Sequence, residues 1–539
     1  MRNPVKSSTS IVQCFTFPSL LRYILITFLI TLTEQALPQE KYGTIIRNGR
    51  VLDGSGNPWF RADIGIKGDR IAALGNLDDA QAEREIDASG LYVAPGFIDS
   101  HSHTSGGLTS EDRSHAQPLL AQGITTVFIN PDGGGPVDIE KQKGDLLKHG
   151  LGINAAQLVP HGSIRRQVMG MVDRLSTETE LEQMRDLVRK GMKAGAFGLS
   201  SGPFYAPGSY SDTRELVELA KIASEYGGVY TSHIRDESNY TIGVVAAVDE
   251  VIQIAREASL PGIVTHIKVL GPPVWGYSMA VVRRIDRARK QDLEIYADQY
   301  PYIASSTGLG AALLPRWAQA GGRDSLIARF ENPATMAKII TEMMENLARR
   351  GGADRILFRR FQPDPAIEGR TLAEVADDWQ MNPVEASIKM FRKGGPSIIS
   401  FNMNEDDVKT FMVQSWTMTS SDGAYPKWGE GVPHPRAFGT FPRKIHKYVL
   451  EENVLELPAA IRSMTSLPAQ VFRLQNRGVI RQGAYADLVI FDLDKLRDRA
   501  TFTEPYHLSE GMVHVFVNGQ AAILDGEFTD VMSGRVLSR

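Results

Sequence analysis

Apolar and polar residues follow two different rhythms along this chain. Between residues 43 and 95 they form short stretches broken by glycine and asparagine: Thr44–Gly49, Val51–Gly54, Ala62–Lys67 and Arg70–Gly75. Short β-prone runs bounded by turn residues predict strands. The far end repeats this character in Gly483–Asp492 and Val513–Gly519. The two ends are therefore expected to pair into one small β-sandwich domain, residues 40–95 with 465–539, beside a central unit.

Between them, short apolar runs alternate with stretches of helical period such as Glu178–Lys190. Strands buried on both faces read as continuous apolar runs, and their alternation with helices is the pattern of a parallel sheet. Eight strands are predicted: Phe97–His103, Thr125–Asn130, Asn154–His161, Gly198–Ser200, Val229–His233, Ile263–Val269, Glu294–Tyr300 and Trp416–Ser421. Eight is the number that closes a (β/α)8 TIM barrel, so the expected fold class is α/β with the barrel over residues 96–464. The span from Tyr300 to Trp416 is too long for one crossover and holds its own helical patterns, such as Ala334–Arg350. It predicts an inserted subdomain at about 312–400, before the last strand.

The first forty residues belong to neither rhythm. Arg2, Lys6 and Arg22 precede an uncharged, mostly apolar stretch, Tyr23–Leu32, which is followed by polar Thr33-Glu34-Gln35 and then Ala36-Leu37-Pro38. That stretch is well short of the roughly 20 residues a membrane span needs. Residues 1–39 thus read as a secretory signal peptide, and the mature protein as exported, periplasmic or extracellular, with no stable membrane span.

Composition narrows the field. The 539 residues are 42% hydrophobic and 23% charged, the balance of a globular protein, which argues against a fibre or a disordered chain. The formal charge is −4, and losing Arg2, Lys6, Arg22 and Glu34 with the leader takes it to −6, which argues against nucleic acid as a partner. Cys14, the only cysteine, lies in the leader. A processed chain would have no disulfide, no cysteine nucleophile and no thiolate ligand.

The candidate chemistry gathers at predicted strand ends. His101-Ser102-His103 closes the first strand, and two imidazoles one residue apart on a strand face the same way and can share one metal ion. Asp132, His161, His233, His266 and Asp422 stand at or just past other strand ends, so five of the 11 histidines fall where parallel barrels carry their chemistry. Any one histidine alone is more often a hydrogen-bonded core or surface residue than a ligand, and Asp132 alone can be a turn residue before Gly133-Gly134-Gly135. Together they indicate a metal centre. Neutral imidazoles with carboxylates suit zinc or a similar divalent ion, one or two in number, with a position left open for water, which the ion acidifies. The glycine run reads as loop flexibility and not as a phosphate cradle, since no Lys-Ser/Thr follows it. Lys268, two residues past His266, is expected on the same side, either as a solvated or structural lysine or as a substrate-binding residue that contacts an acidic side chain or the carboxylate of a substrate.

Several segments carry a resemblance: Pro95–His103, Pro160–Gly170, Gly198–Gly208, Asp298–Ser306, Ser420–Gly423 and His434-Pro435-Arg436. Over nearly the whole mature chain the sequence resembles the amidohydrolase superfamily and, within it, the N-acyl-D-amino-acid deacylases (D-aminoacylases). The resemblance implies a metal-dependent hydrolase that cleaves the amide bond of a small-molecule N-acyl-D-amino acid by metal-bound hydroxide. It places His233 and His266 at the principal metal, His101 and His103 at a second site, and Asp422 as general base and then acid. It assigns Tyr205 to the scissile carbonyl oxygen, and Arg436, Tyr300 and Ser306 to the substrate carboxylate. The best-known members put a bridging cysteine where this chain has Asp132, a harder ligand that leaves metal identity open. The alternatives are a cyclic amide hydrolase of the dihydroorotase or hydantoinase kind, an unusual-dipeptide hydrolase, and a non-catalytic exported binding protein. The first commonly bridges its metals with a carboxylated lysine, for which Lys193 is poorly placed.

Overall fold

The computed structural model describes residues 1, 9–10 and 41–539. The expected signal peptide, with Cys14, thus lies almost entirely outside the described residues.

Eight parallel strands form the barrel: β1 (Phe97–Asp99), β2 (Ile124–Ile129), β3 (Asn154–Gln157, resumed at Val159–Pro160), β4 (Gly198–Ser201), β5 (Val229–Ser232), β6 (Gly262–Val264), β7 (Ile295–Gln299) and β8 (Thr417–Thr419). Neighbours pair in parallel from β1 round to β8, with the step at Leu158 letting one half of β3 pair with β2 and the other with β4. The seam closes beyond the strand ends, where Asp422 N donates to His101 O and His103 N to Gly423 O, both at 2.9 Å. Helices with one apolar face cover the outside: Leu181, Met184 and Val188 of Glu178–Lys193 pack in one core with Val159 and Leu199 of the strands. That helix starts where its sequence says it should, with Thr177 and Glu180 forming a capping box. The barrel's far end is filled by Ile98, Phe128, Phe197, Val229, Ile263, Met418 and Phe472.

The β-rich domain takes strands from both parts of the chain. Leu488–Phe491 pairs antiparallel with Tyr92–Pro95 and so joins the N-terminal strands to the C-terminal ones. Hydrogen bonding is continuous through nine strands, and the two layers belong to one curled sheet closed over Ile46, Ile64, Ile71, Val93, Leu488 and Phe516. Thr44–Gly49 and Val51–Gly54, read separately from the sequence, contribute to a single strand, Lys41–Val51. Asn48, at φ 60°, falls in a register shift between Ile46 and Gly49, so Asn-Gly makes a bulge and not a turn. Farther on, Val536–Leu537 pairs with the lower half of β3.

Between β7 and β8 stands an insertion with its own core, including Leu313, Ile339, Phe358, Leu372 and Phe391. Its three-stranded antiparallel sheet runs in the order Ser305–Gly308, Ser397–Ser400, Ile356–Arg360 and hangs over the C-terminal mouth of the barrel. The helices Pro333–Arg349, Leu372–Asp378 and Pro383–Phe391 back it.

Candidate active site

The strands end earlier than the sequence suggested, and the polar residues sit on the turns just past them. His101 and His103 follow β1, held extended by the seam with residues 422–424. His266 and Lys268 follow β6, which stops at Val264, so strand alternation does not align them. They still meet, with Lys268 Nζ 2.7 Å from His266 Nδ1.

Asp132 stands at the centre of the histidines. Its Oδ1 is 3.5 Å from His101 Nε2 and 3.4 Å from His266 Nε2, and its Oδ2 is 3.4 Å from His103 Nε2 and 3.9 Å from His233 Nδ1. Two ligand sets result, His101/His103/Asp132/Asp422 and Asp132/His233/His266, each with its ligand atoms within 4.8 Å of one another. Asp132 belongs to both, which is the position of a bridging ligand. His101 Nε2, His233 Nε2 and Asp132 Oδ1 are buried without a hydrogen-bond partner among the described residues. Orphaned donors and acceptors of this kind, imidazole with carboxylate, fit one or two divalent cations.

Electrostatics point the same way. Burial works against ionising Asp132, but the charges of His101 and His266 hold its carboxyl well below the usual range. Burial likewise opposes charging His103, yet hydrogen bonds to Asp132 and Asp422 raise it to about 9. His233, which burial pushes down to about 3, is ready as a neutral ligand. The protons that His103 and His266 keep stand in the place that a cation would take.

The backbone is strained at three of these residues: Asp132 has φ 54°, His266 φ 36° and Asp422 φ 46°. Left-handed non-glycine residues cost on the order of 1–3 kcal/mol each and persist where surroundings over-determine them. Here Asp422 N is held by His101 O, and His266 N donates to Asp298 Oδ1 at 2.8 Å. Beside Asp132, Gly133 at φ 69° packs so closely that a Cβ would lie 2.9 Å from Gly162 N and 3.1 Å from Gly202 N. Gly133 therefore serves close approach between strand ends, not the flexibility expected of it.

Asp422 Oδ1 lies 3.2 Å from His103 Nε2 and 3.6 Å from His101 Nε2, while Oδ2 pairs with Arg436 Nη1 at 2.8 Å. Arg436 thus meets the carboxylate of the protein itself. Against the cost of burial, that guanidinium and the His103 hydrogen bond keep Asp422 ionised far below the ordinary carboxyl value.

Tyr205, Tyr300, Ser306, Lys268 and Arg436 all line one cavity of about 530 Å3 with His103, Asp132, His233 and His266. Burial raises the Tyr205 phenol and so keeps it a donor; Thr307 Oγ1 is 3.5 Å from its oxygen. Tyr300, 1% exposed, carries the Arg436 guanidinium 4.6 Å from its ring centroid. Ser306 faces the cavity, but its hydroxyl donates to Ile398 O at 2.9 Å.

His161 departs from the group. Pro160 ends β3, and His161 opens the helix His161–Met169 with its Nε2 2.9 Å from Glu215 Oε1, away from the metal-type cluster. Arg165 pairs with the other oxygen of Glu215.

Three acids that the sequence did not single out frame the ligands. Glu237 Oε1 lies 3.1 Å from His266 Nδ1 and 2.6 Å from Lys268 Nζ. Asp99 accepts from Ser421 N at 2.8 Å and from Ser421 Oγ, while Asp298 accepts from Ser420 Oγ at 2.6 Å. The spacing His233-x-x-x-Glu237 was the one visible cue; Asp99 and Asp298 lie inside apolar runs and declare themselves only by burial.

A sequence model of the amidohydrolase family matches residues 84–523. The chain belongs to the amidohydrolase family. It is similar to a D-aminoacylase of Alcaligenes xylosoxydans xylosoxydans, 34% identical over 526 residues that cover 93% of this chain and 98% of that protein. An N-acyl-D-glutamate deacylase of the same organism is 35% identical over 523 residues, 93% of this chain and 97% of that one. The crystal structure of N-acyl-D-glutamate deacylase from Bordetella bronchiseptica, with zinc and a phosphonate mimic of the tetrahedral intermediate, matches with a TM-score of 0.80 and 34% identity over 93% of this chain and 100% of that chain.

Proposed function

We propose that this protein is a metal-dependent hydrolase of N-acyl-D-amino acids, releasing a carboxylic acid and a free D-amino acid. One observation carries the reading: Asp422, held ionised by Arg436, stands beside His101 and His103 in a cluster that shares Asp132 with His233 and His266. The D-configuration rests on the relatives.

His101, His103, Asp132, His233 and His266 would hold the cation, zinc as in the Bordetella bronchiseptica relative, with Asp132 available to either ligand set. Bound there, a divalent ion supplies Lewis-acid polarisation of the amide carbonyl and lowers the pKa of the attacking water. Asp422 takes the proton from that water as its oxygen adds to the carbonyl carbon, and hands it to the nitrogen as the C–N bond breaks. Tyr205, kept protonated by burial, donates to the carbonyl oxygen as negative charge builds there. Lys268, Tyr300 and Arg436 supply the positive and hydroxyl-bearing wall for the amino acid's carboxylate, with Ser306 beside them.

The cyclic-amide alternative loses its bridging group. Lys193 is exposed at the end of the helix Glu178–Lys193, and Asp132 occupies the shared position. The same reading includes export by residues 1–39, supported by their charge and apolar pattern; no helix among the described residues is long and apolar enough to cross a membrane.

Purified protein with its metal content measured, assayed against N-acetyl-D- and N-acetyl-L-amino acids, tests the function. Release of free D-amino acid that chelation abolishes and zinc restores is expected. Activity confined to L-substrates or cyclic imides sinks it.

A further inference from the structure

Four arginines among the described residues are buried: Arg165, Arg350, Arg436 and Arg477. Three of them have an acid to answer their charge. Arg165 pairs with Glu215, Arg436 with Asp422 and Arg477 with Asp487. Arg350, only 1% exposed, makes no ion pair. Its Nε donates to the Tyr240 hydroxyl at 2.9 Å, and its Nη1 lies 3.0 Å from the Asn402 amide, whose oxygen turns toward it when the amide is oriented to satisfy its other neighbours. A buried guanidinium met only by neutral oxygens is expensive, because neither contact replaces the hydration or the opposite charge it has given up.

Its location says where the missing charge comes from. Arg350 caps the C-terminal end of the helix Pro333–Arg349 in the insertion and lines the catalytic cavity, as Lys268, Leu270 and Ser305 do. Lys268 and Arg436 already face Glu237 and Asp422. Arg350 faces no acid among the described residues. Arg359 adds a further positive side chain to the cavity lining. It is the extra residue of a bulge between Phe358 and Arg360, which breaks the register opposite Ile398 and Ser397, and it too lines the cavity. Its Nε donates to Ser397 Oγ at 3.2 Å, and it has no acidic partner among the described residues.

We propose that the substrate carries a second carboxylate on its side chain, as in an N-acyl-D-glutamate or N-acyl-D-aspartate, and that Arg350 is the residue that binds it. The inference rests on the deacylase reading above and adds to it the class of side chain. A guanidinium offers a carboxylate two parallel N–H donors, whereas the isosteric carboxamide offers it one acceptor and a repelling NH2 group, so the site selects charge and not size.

The test compares kcat/KM for N-acetyl-D-glutamate, N-acetyl-D-glutamine, N-acetyl-D-leucine and N-succinyl-D-leucine on zinc-loaded protein. The glutamate-to-glutamine ratio is expected to be about 100 or more in the natural protein, as for sites built around a polar group of the substrate. In Arg350→Met the ratio is expected to fall below about 10, with Arg350→Lys between the two because it keeps the charge and loses the fork. Since a buried arginine is replaced, thermal melting checks each variant. Product inhibition of the unmodified protein gives a readout that needs no variant, with free D-glutamate inhibiting at least about tenfold more tightly than D-glutamine. Equal or better turnover of glutamine, leucine or the succinyl substrate, or a folded Arg350→Met that keeps the full ratio, overturns the assignment of Arg350 and leaves the deacylase reading intact. Failure to cleave any of the four overturns the deacylase reading and this inference with it.

Discussion

Replacing Asp422 by Asn probes the centre of the proposed reaction with the smallest change in shape. One carboxylate oxygen becomes NH2 and the side chain loses its charge, while the backbone stays pinned by the bond from Asp422 N to His101 O. The amide has one oxygen for two demands, Arg436 Nη1 at 2.8 Å and the His101/His103 pair at 3.2–3.6 Å, so one side is left facing a donor. A positioned general base contributes about 10²–10⁴ in rate. At ~1.4 kcal/mol per decade, its loss raises the barrier by about 3–5 kcal/mol. The predicted result is a fall in kcat of that size with KM altered far less, because Asp422 acts on the proton and not on the substrate's carboxylate. Kinetics on N-acetyl-D-amino acids, alongside zinc content by emission spectroscopy and the thermal midpoint, separates this from loss of metal or fold. Pairing the change with Arg436→Met removes the uncompensated buried cation and shows how much of any lost stability comes from Arg436. A folded, metal-replete Asp422→Asn with kcat within tenfold of the natural protein would refute the assignment of the base.

Asp132→Ala is expected to lower bound zinc, since it takes one ligand from each of the two sets, whereas Asp132→Cys should retain metal and shift preference toward softer ions; full zinc occupancy in the alanine variant would return Asp132 to the role of a turn residue. Glu237→Gln should weaken zinc binding roughly 10–100-fold by loosening the partner of His266 Nδ1, measured by competition with a chromogenic chelator; unchanged affinity would make Glu237 a partner of Lys268 alone. Glu215 gives a pH test away from the metal site. Burial by itself would raise its carboxyl, but His161 and Arg165 bring it from 4.5 down to about 2. A pKa depressed in the folded state contributes stability that is complete above about pH 4.5 and lost as pH falls toward 2, here about 3 kcal/mol. Glu215→Gln should therefore melt lower than the natural protein at pH 7, with the gap shrinking below pH 4.5, and a gap that stays constant to pH 3 contradicts the account.

Much of the architecture was legible because burial imposes periodicity. Each of the eight predicted strands overlaps an observed one, since runs such as Ile124–Ile129, covered on both faces, stand out from the helical periodicity between them. The residues that cluster at the mouth were legible for a related reason: histidine and aspartate at the ends of apolar runs have no structural purpose that the run itself explains. Where the rules were local, they failed locally. Asn48-Gly49 satisfied a turn signal and made a bulge, because the partner strand Phe60–Lys67 was long enough to continue past it. His161 satisfied the strand-end signal and turned away, because Pro160 ended the strand and made His161 the first residue of a helix.

The chain by itself determined which elements form, that they close into a barrel, and which residue types are available for a cation at its mouth. Periodicity and side-chain chemistry are properties of neighbours in sequence, and these follow from them. Only the tertiary structure decided that Asp132 stands between all four histidines, that Arg436 answers Asp422 and Lys268 answers Glu237, and that Arg350 has no acid of its own among the described residues. Those are pairings across loops from different strands and from the insertion. Their distances are set by how the seam closes and how the insertion seats over the mouth, and no local pattern encodes either.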